Sequence, residues 1–378
     1  INESPVTDLV KQLERQCDYR RRRLEVSEFN ARSSYQIKGL ALTPVKFGIS
    51  FTTTHLNQAG ALLHIYTDGS IHLSHGGTEM GQGLHTKVAQ LVAGCLGVSV
   101  GSINIGASRT DKVPNTSPTA ASAGTDLNGL AAVDAAEKLK RRLATFARDY
   151  YSSDVMDICD DRVQLAETSI PFASFINEAY MQRVSLSATG YYKTPDIHFD
   201  KAKGKGAPFY YFAYGAACSE VLVDKLTGEY KITRVDILHD VGRSINPAVD
   251  IGQIEGGFIQ GMGWLTTEEL LWDGTGRLIS NSPSNYKIPT AFDVPEQFNV
   301  NLYDADNPKP TAYRSKAVGE PPLMLAISVW CALRDACASL AGYSFSPPLA
   351  VPATPEQVYW SMQKARTHAM RSEVKNDD

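Results

Sequence analysis

Residues 75–97 read HGGTEMGQGLHTKVAQLVAGCLG, and the change of pattern inside this stretch decides the fold. Small and polar residues run up to Gly83. From there Leu84, Val88, Leu91, Val92 and Cys95 fall at i, i+4, i+7, i+8 and i+11, the spacing of one helical face. A helix therefore opens at Gly81-Gln82-Gly83. Just upstream, Leu62 to Tyr66 and Ile71 to Ser74 flank Asp68-Gly69, a strong two-residue hairpin signal. A second hairpin is written around Leu226-Thr227-Gly228, with Val221/Val223 and Tyr230/Ile232 alternating on its two arms. Each hairpin runs on into a small-residue turn and a helix. The pattern predicts an α+β (mixed α/β) chain of two lobes, each of β-hairpins or sheets packed with long helices.

The expected organisation is an N-terminal helical segment over 1–40, a first lobe over 41–165, a second over 166–350 and a polar tail over 351–378. Ser4-Pro5 supplies a helix start, followed by Val6, Val10, Leu13 and Cys17 near helical spacing. Arg20 to Arg23, interleaved with nearby Glu14, Glu25 and Glu28, reads as a solvated helix face. The weakly patterned stretch from Tyr150 to about Phe199 is expected to bridge the lobes. The charged tail after Pro352 is expected to be partly disordered or draped on a partner.

The chain has 378 residues, of which 43% are hydrophobic and 21% charged, enough for two packed cores. A formal net charge of -4 and a pI near 6.1 give no electrostatic reason to expect nucleic acid or anionic membrane as a partner. The start has no signal-peptide pattern, and no later run of about 18 apolar residues suggests a span. A cytoplasmic chain is expected. The six cysteines are scattered without a CxxC pair, so neither an iron–sulfur cluster nor structural zinc is expected in this chain.

The strand-stop and helix-start device recurs three more times. NTSPTAASAGTDLNGLAAVDAAEKLKRRL (115–143) is a small-residue run with a helix from about Thr125. INPAVDIGQIEGGFIQGMGW (245–264) has Pro247 in a first turn, and KAVGEPPLMLAISVWCALRDACASL (316–340) has Glu320 directly before Pro321-Pro322. Helix N-termini present unpaired N–H groups and partial positive charge, and small residues let an anion approach the backbone. Four such mouths point to a phosphate-bearing ligand. Tight helix packing is the better account of any one of them taken singly, and none is a P-loop or a GxGxxG fingerprint.

Taken in order, KFGISFT (46–52), GGTEMGQGLHTK, VPNTSPTAAS, DIGQIEGGFIQG and SKAVGEPPL resemble the signature stretches of the xanthine dehydrogenase molybdopterin domain, over roughly residues 40 to 345. The resemblance, to the C-terminal half of that domain, implies a pyranopterin dithiolene holding molybdenum in this chain. It places Met80, Gly81, Gln82, Ala121, Ser122, Ala123, Gly124 and Gln253 on the cofactor, with the Ala121 backbone near the molybdenum. It places Phe51 and Thr52, together with Ala120 and Ala121, on the substrate, and makes Glu320 the catalytic base. His75 and His85 match no ligand pattern and read as structural.

The implied activity is oxidative hydroxylation of hypoxanthine and xanthine to urate with water-derived oxygen. Electrons would leave through [2Fe-2S] clusters and FAD on partner chains. Neither the family's GGxFGGKE-like stretch nor its purine-gripping Arg–Glu pair is found in this sequence, so the chain is either a separate subunit, with a partner carrying the N-terminal half of the domain within a dimer of heteromers, or a fragment of a longer polypeptide. The resemblance leaves two rivals: an aldehyde oxidase or other N-heterocycle hydroxylase, and a non-catalytic assembly subunit.

Overall fold

The computed structural model describes residues 4–113 and 115–376. Two helices, α1 (Val6–Gln16) and α2 (Tyr19–Arg32), precede β1 (Gln36–Ile49). The hairpin β2 (Gln58–Ile65) and β3 (Ile71–His75) then leads into α3 (Leu84–Leu96), β4 (Ile103–Ile105) and the long α4 (Leu130–Tyr151). Three short strands, β5 (Met156–Cys159), β6 (Arg162–Leu165) and β7 (Ser169–Pro171), are followed by α5 (Phe172–Met181) and β8 (Ser187–Lys193). After the small pair β9 (His198–Asp200) and β10 (Lys205–Ala207) come the long strands β11 (Tyr211–Asp224) and β12 (Tyr230–Asp240). The chain ends with α6 (Pro247–Thr266), β13 (Gln297–Leu302), α7 (Ile327–Ser339) and α8 (Pro355–Asn376).

Two sheets organise two lobes, as the hairpins predicted. The first has strand order β4-β3-β2-β8 and the second β1-β11-β12-β13. In the first hairpin Leu63 pairs with Leu73 and Ile65 with Ile71, around a turn whose Gly69 has φ 83°. Leu63 and Leu73 meet Val88 and Val92 of α3 and Leu139 and Leu143 of α4 in one apolar core. In the second sheet β11 alternates faces. Ala217, Val221 and Val223 join the core beneath α6 and α7, whereas Tyr214, Ala216 and Cys218 face Leu9, Leu13 and Val26 of α1 and α2. Both sheets use a strand glycine to seat a helix: a Cβ on Gly190 would lie 1.9 Å from Ala131 O of α4, and one on Gly39 1.9 Å from Ala332 O of α7.

The lobe boundaries differ from the sequence expectation. β1 pairs with β11 from Gln36↔Asp224 to Ile49↔Tyr211, so residues 36–49 belong to the second sheet rather than to the helical segment or the first lobe. The stretch from Tyr150 to Phe199 is no bridge over most of its length, because β5, β6 and β7 form a small sheet whose Ile158 and Val163 enter the first core, and β8 pairs with β2. The sheets therefore part after about residue 193 and not at 165. Strand pairing between residues so far apart is settled by the partner strand, and SATGYYK carries no alternation that could announce it.

The tail is also ordered: α8 buries Val358, Met362 and Ala365, and Cys337 of α7 meets Val358 O. Those three residues stand at i, i+4 and i+7, a helical signal masked by the charges around them. Asp377 and Asp378 lie outside the described residues.

The arginine run is likewise more than a solvated face. Arg22 is buried and holds both Glu220 and Asp236, while Arg23 grips Asp335 of α7. The Arg22 pairs tie α2 to the sheet and the Arg23 pair ties it to α7. Residues Pro321–Ser339 are long and apolar enough to cross a membrane by composition, yet Leu325, Val329, Leu333 and Cys337 pack in the second core.

Candidate functional site

The four small-residue mouths converge. A cavity of about 400 Å³ opens between the lobes, walled by the starts of α3 and α6, the turn leading into α4, and the loop before α7. Gly83 caps α3 in a left-handed conformation (φ 75°) that favours glycine. Asn246 caps α6 through its side chain, which accepts from Val249 N, with Pro247 next, as Pro at a first turn predicts. The turn into α4 begins as a short π-helical stretch, Thr125–Gly129, and Glu320 sits at the start of a 3-10 turn, Pro321–Ala326, that runs into α7.

Of the residues expected at the site, Met80, Gln82, Ala120, Ala121, Ser122, Gly124, Gln253 and Glu320 line the cavity. Gly81, which is exposed, and Ala123, which is buried, belong to the same turns but are not in its wall. Phe51 and Thr52 are not in its wall. Phe51 follows β1 and is fixed by Asn57, which accepts from Phe51 N at 2.8 Å and donates to Phe51 O at 2.9 Å. Its ring is half-buried and, among the described residues, joins none of the apolar cores.

The first mouth is braced by Glu79, whose Oε1 accepts from Gly81 N and Gly83 N and whose Oε2 accepts from His85 N. Burial pulls the Glu79 carboxyl upward, and these backbone donors outweigh it and hold the group below the usual range. Gln82 bonds back to Thr78 O at 2.9 Å. His75 is buried beside this mouth, accepts from Gly77 N at its Nδ1, and is pushed down to about 4 by burial, so it is neutral. At the second mouth Ala121 (φ 55°) and Ser122 (φ 53°) are both left-handed, a sparsely populated pair that costs about 1–3 kcal/mol per residue. Among the described residues their N–H groups have no partner, which leaves two adjacent donors at the cavity.

Ser122 joins the lobes. Its Oγ accepts from Glu320 N at 2.7 Å and donates to Glu320 Oε2 at 3.0 Å. Gly319 makes this approach possible, since a Cβ there would stand 2.9 Å from Ser122 Oγ.

Sequence reading missed the buried charges. Lys87 of α3 pairs with Asp250 of α6, and Lys316 with Asp240, all four being buried. Lys87 sits on the same stripe as Leu84, Val88 and Leu91, and a lysine on an apolar face was the signal available. Asp126 also lines the cavity and, among the described residues, has no cation in contact and accepts only from Tyr211 OH at 2.6 Å. Burial raises its carboxyl to about 6, and the Tyr211 bond and the Lys87 charge only partly oppose this.

A carboxyl raised from the usual value near 3.8 to about 6 binds its proton more tightly in the folded state than in the unfolded one. Stability from this group is therefore present below pH 4, falls as pH rises toward 6, and stays lower above it, by roughly 2–3 kcal/mol. Asp126→Asn in the complete enzyme is expected to melt several degrees higher than wild type at pH 7.5 and equally at pH 4. Thermal scans at the two pH values check this, and a variant that melts lower at pH 7.5 overturns it.

With these groups in place, the cavity offers unpaired backbone N–H donors, two side-chain amides and helix starts to an anionic ligand, its two buried lysines being already paired with aspartates, and one exposed carboxylate at its rim. Among the described residues no three His, Cys, Asp or Glu side chains gather at metal-ligand spacing.

A family model described as a molybdopterin cofactor-binding domain matches residues 12–295. The chain is 47% identical over 346 residues to a xanthine dehydrogenase/oxidase of Felis catus and 46% identical over 354 residues to a xanthine dehydrogenase of Oryza sativa subsp. japonica, each alignment taking in 90% of this chain. It spans about a quarter of those relatives' length, 25% and 24%. Among solved structures, quinoline 2-oxidoreductase from Pseudomonas putida 86 superposes with a TM-score of 0.82 at 24% identity, over 95% of this chain and 46% of that one. Aldehyde oxidoreductase from Desulfovibrio gigas gives 0.73 at 21% identity, over 95% of this chain and 36% of that one. Those two likenesses establish the fold.

Proposed function

This chain belongs to the molybdopterin cofactor-binding domain family, and from that membership we propose that it is the C-terminal half of the molybdenum domain in an enzyme of the xanthine dehydrogenase type, hydroxylating hypoxanthine and xanthine to urate. The observation that carries the reading is the meeting of Gln82, Ala121, Ser122, Gln253 and Glu320 around one inter-lobe cavity, although they are spread across both lobes.

The residues present fit a phosphate-bearing pterin. Gln82 and Gln253 offer side-chain amides, the Ala121 and Ser122 N–H groups are free for a polar edge, and the α3 and α6 starts favour its negative charge. The bound cofactor would supply the two-electron redox chemistry and the molybdenum centre at which oxygen is transferred to the ring.

This chain's own part is to bind, orient and handle the proton. Glu320 Oε2 is engaged by Ser122, and Oε1 has no partner among the described residues, so Oε1 is the oxygen that takes up the proton released when water-derived oxygen attacks the ring. Ser122 keeps the carboxylate from swinging away. Phe51, whose backbone is fixed by Asn57, lies outside the cavity wall, and the role proposed for its ring is to stack on the purine.

The electrons would leave through [2Fe-2S] centres and FAD on other parts of the enzyme. A partner carrying the remaining half of the domain is supported by the segment between α6 and β13. It is mostly irregular, yet it exposes Leu270, Trp272, Ile288 and Phe292, the last at 96%.

The test is the complete enzyme assayed on xanthine and on an aromatic aldehyde, as wild type and as Phe51→Ala. Xanthine is expected to turn over faster. The substitution should lower kcat/KM for xanthine about tenfold with the melting temperature nearly unchanged, because stacking is lost and no core contact is. Preference for the aldehyde would refute the purine assignment, and a collapse in stability with full activity would return Phe51 to a packing role.

A further inference from the structure

The loop that carries Glu320 is tethered at few points. Lys316 N donates to Val241 O, just past β12, at 2.6 Å, which among the described residues is the last backbone–backbone bond before Glu320. Beyond it, Val318 N and Gly319 N have no partner among the described residues, and Pro321 and Pro322 have no N–H to offer. Among the described residues two bonds remain to fix the backbone up to Glu320. One is Glu320 N to Ser122 Oγ; the other is Ala317 N to Tyr211 OH at 2.9 Å.

Tyr211 stands at the start of β11, buried with Ile49 and Tyr210 against Ala317. A phenol has one proton to donate, and here it goes to Asp126 Oδ2 at 2.6 Å, so the oxygen's lone pairs remain for Ala317 N–H. Burial first, and the Asp126 charge next, push the Tyr211 phenol well above its ordinary value, so it stays a donor. The chain of bonds therefore has one direction: Ala317 N–H to Tyr211 O–H to Asp126. Asp126 belongs to the same turn into α4 that follows Ser122, so both tethers of the Glu320 loop end on one element. Asp126 is also held without a cation at a cost in stability, which packing does not explain.

We propose that Tyr211, oriented by Asp126, is a positioning residue for Glu320, an inference that rests on Glu320 being the catalytic base. Tyr211 touches no reacting atom. It sets where the loop leaves the sheet, and hence where the carboxylate stands relative to the cavity.

The experiment uses the complete, cofactor-loaded enzyme. Tyr211→Phe keeps the ring and removes the hydroxyl. Its kcat on xanthine is expected to fall about tenfold or more with KM within about threefold, and amide hydrogen exchange in the peptide over 312–325 should quicken. Asp126→Ala should follow it, and Asp126→Asn, which keeps an oxygen to accept the hydroxyl proton, should lose at least about threefold less than Asp126→Ala. Added to Glu320→Gln, Tyr211→Phe should cost nothing further, because the group it positions is gone. An unchanged kcat and exchange rate in Tyr211→Phe would overturn the inference. So would an equal loss in the Glu320→Gln background, which marks a general structural effect. Near-normal turnover of Glu320→Gln alone refutes the base assignment instead, and the exchange measurement then still reports whether Tyr211 holds the loop.

Discussion

Replacing Glu320 by glutamine in the assembled, cofactor-loaded enzyme is expected to lower kcat at least about a hundredfold while leaving molybdenum content and assembly unchanged. Glutamine has the same length and shape, and its amide oxygen can still accept from Ser122 Oγ; the Glu320 N–H to Ser122 bond is backbone and survives in any case. What disappears is the ability to take up a proton. The two possible causes of a loss differ in size. A weakened neutral hydrogen bond is worth roughly 0.5–1.5 kcal/mol, about tenfold at most, whereas removal of a general base is worth about 10² to 10⁴. Turnover within tenfold of wild type, in enzyme shown by metal analysis to be loaded, would reduce Glu320 to a loop-fixing group.

The chain expressed by itself is expected neither to retain molybdenum nor to hydroxylate xanthine. Its cavity opens between the lobes, with Met80 and Glu320 exposed at the rim, whereas a site for a ligand of this size encloses most of its surface. The apolar side chains between α6 and β13 lie in solvent as well. Monomers rarely carry contiguous apolar patches beyond about 600 Å², so the isolated chain should associate or precipitate. Co-expression with a chain carrying the other half of the domain should restore solubility, metal and activity together. Molybdenum quantification and a xanthine assay, with and without that partner, are the measurements; a soluble, metal-loaded and active single chain refutes both the partner and the incompleteness of the site.

Much of the site was legible because its signals are local. The stops at Gly81-Gln82-Gly83 and before Pro321, and the first-turn proline Pro247, are dictated by the backbone freedom of glycine, the missing N–H of proline and the orphan donors of a helix start. All three are written within a few residues of the structure they cause. Lys87, Asp126, Asp250 and Tyr211 were not legible, because each acquires its role from a partner far away in sequence: Lys87 from Asp250, and Tyr211 from both Asp126 and Ala317. Phe51 marks a different limit. The string KFGISFT pointed to it, but the structure leaves it outside the cavity wall, where only a bound ring would reveal its use.

By itself the sequence determined the two hairpins, the four helix starts and the family, since turn chemistry and helical periodicity act over one or two turns of chain. Tertiary structure alone decided that β1 joins β11 rather than the lobe beside it in sequence, that α8 is a packed helix, and that the four mouths face one another. The physical reason is the same in each case. Strand partners, helix docking and buried ion pairs draw their free energy from surfaces that exist only once the other element is in place, and no local pattern encodes which distant surface that is.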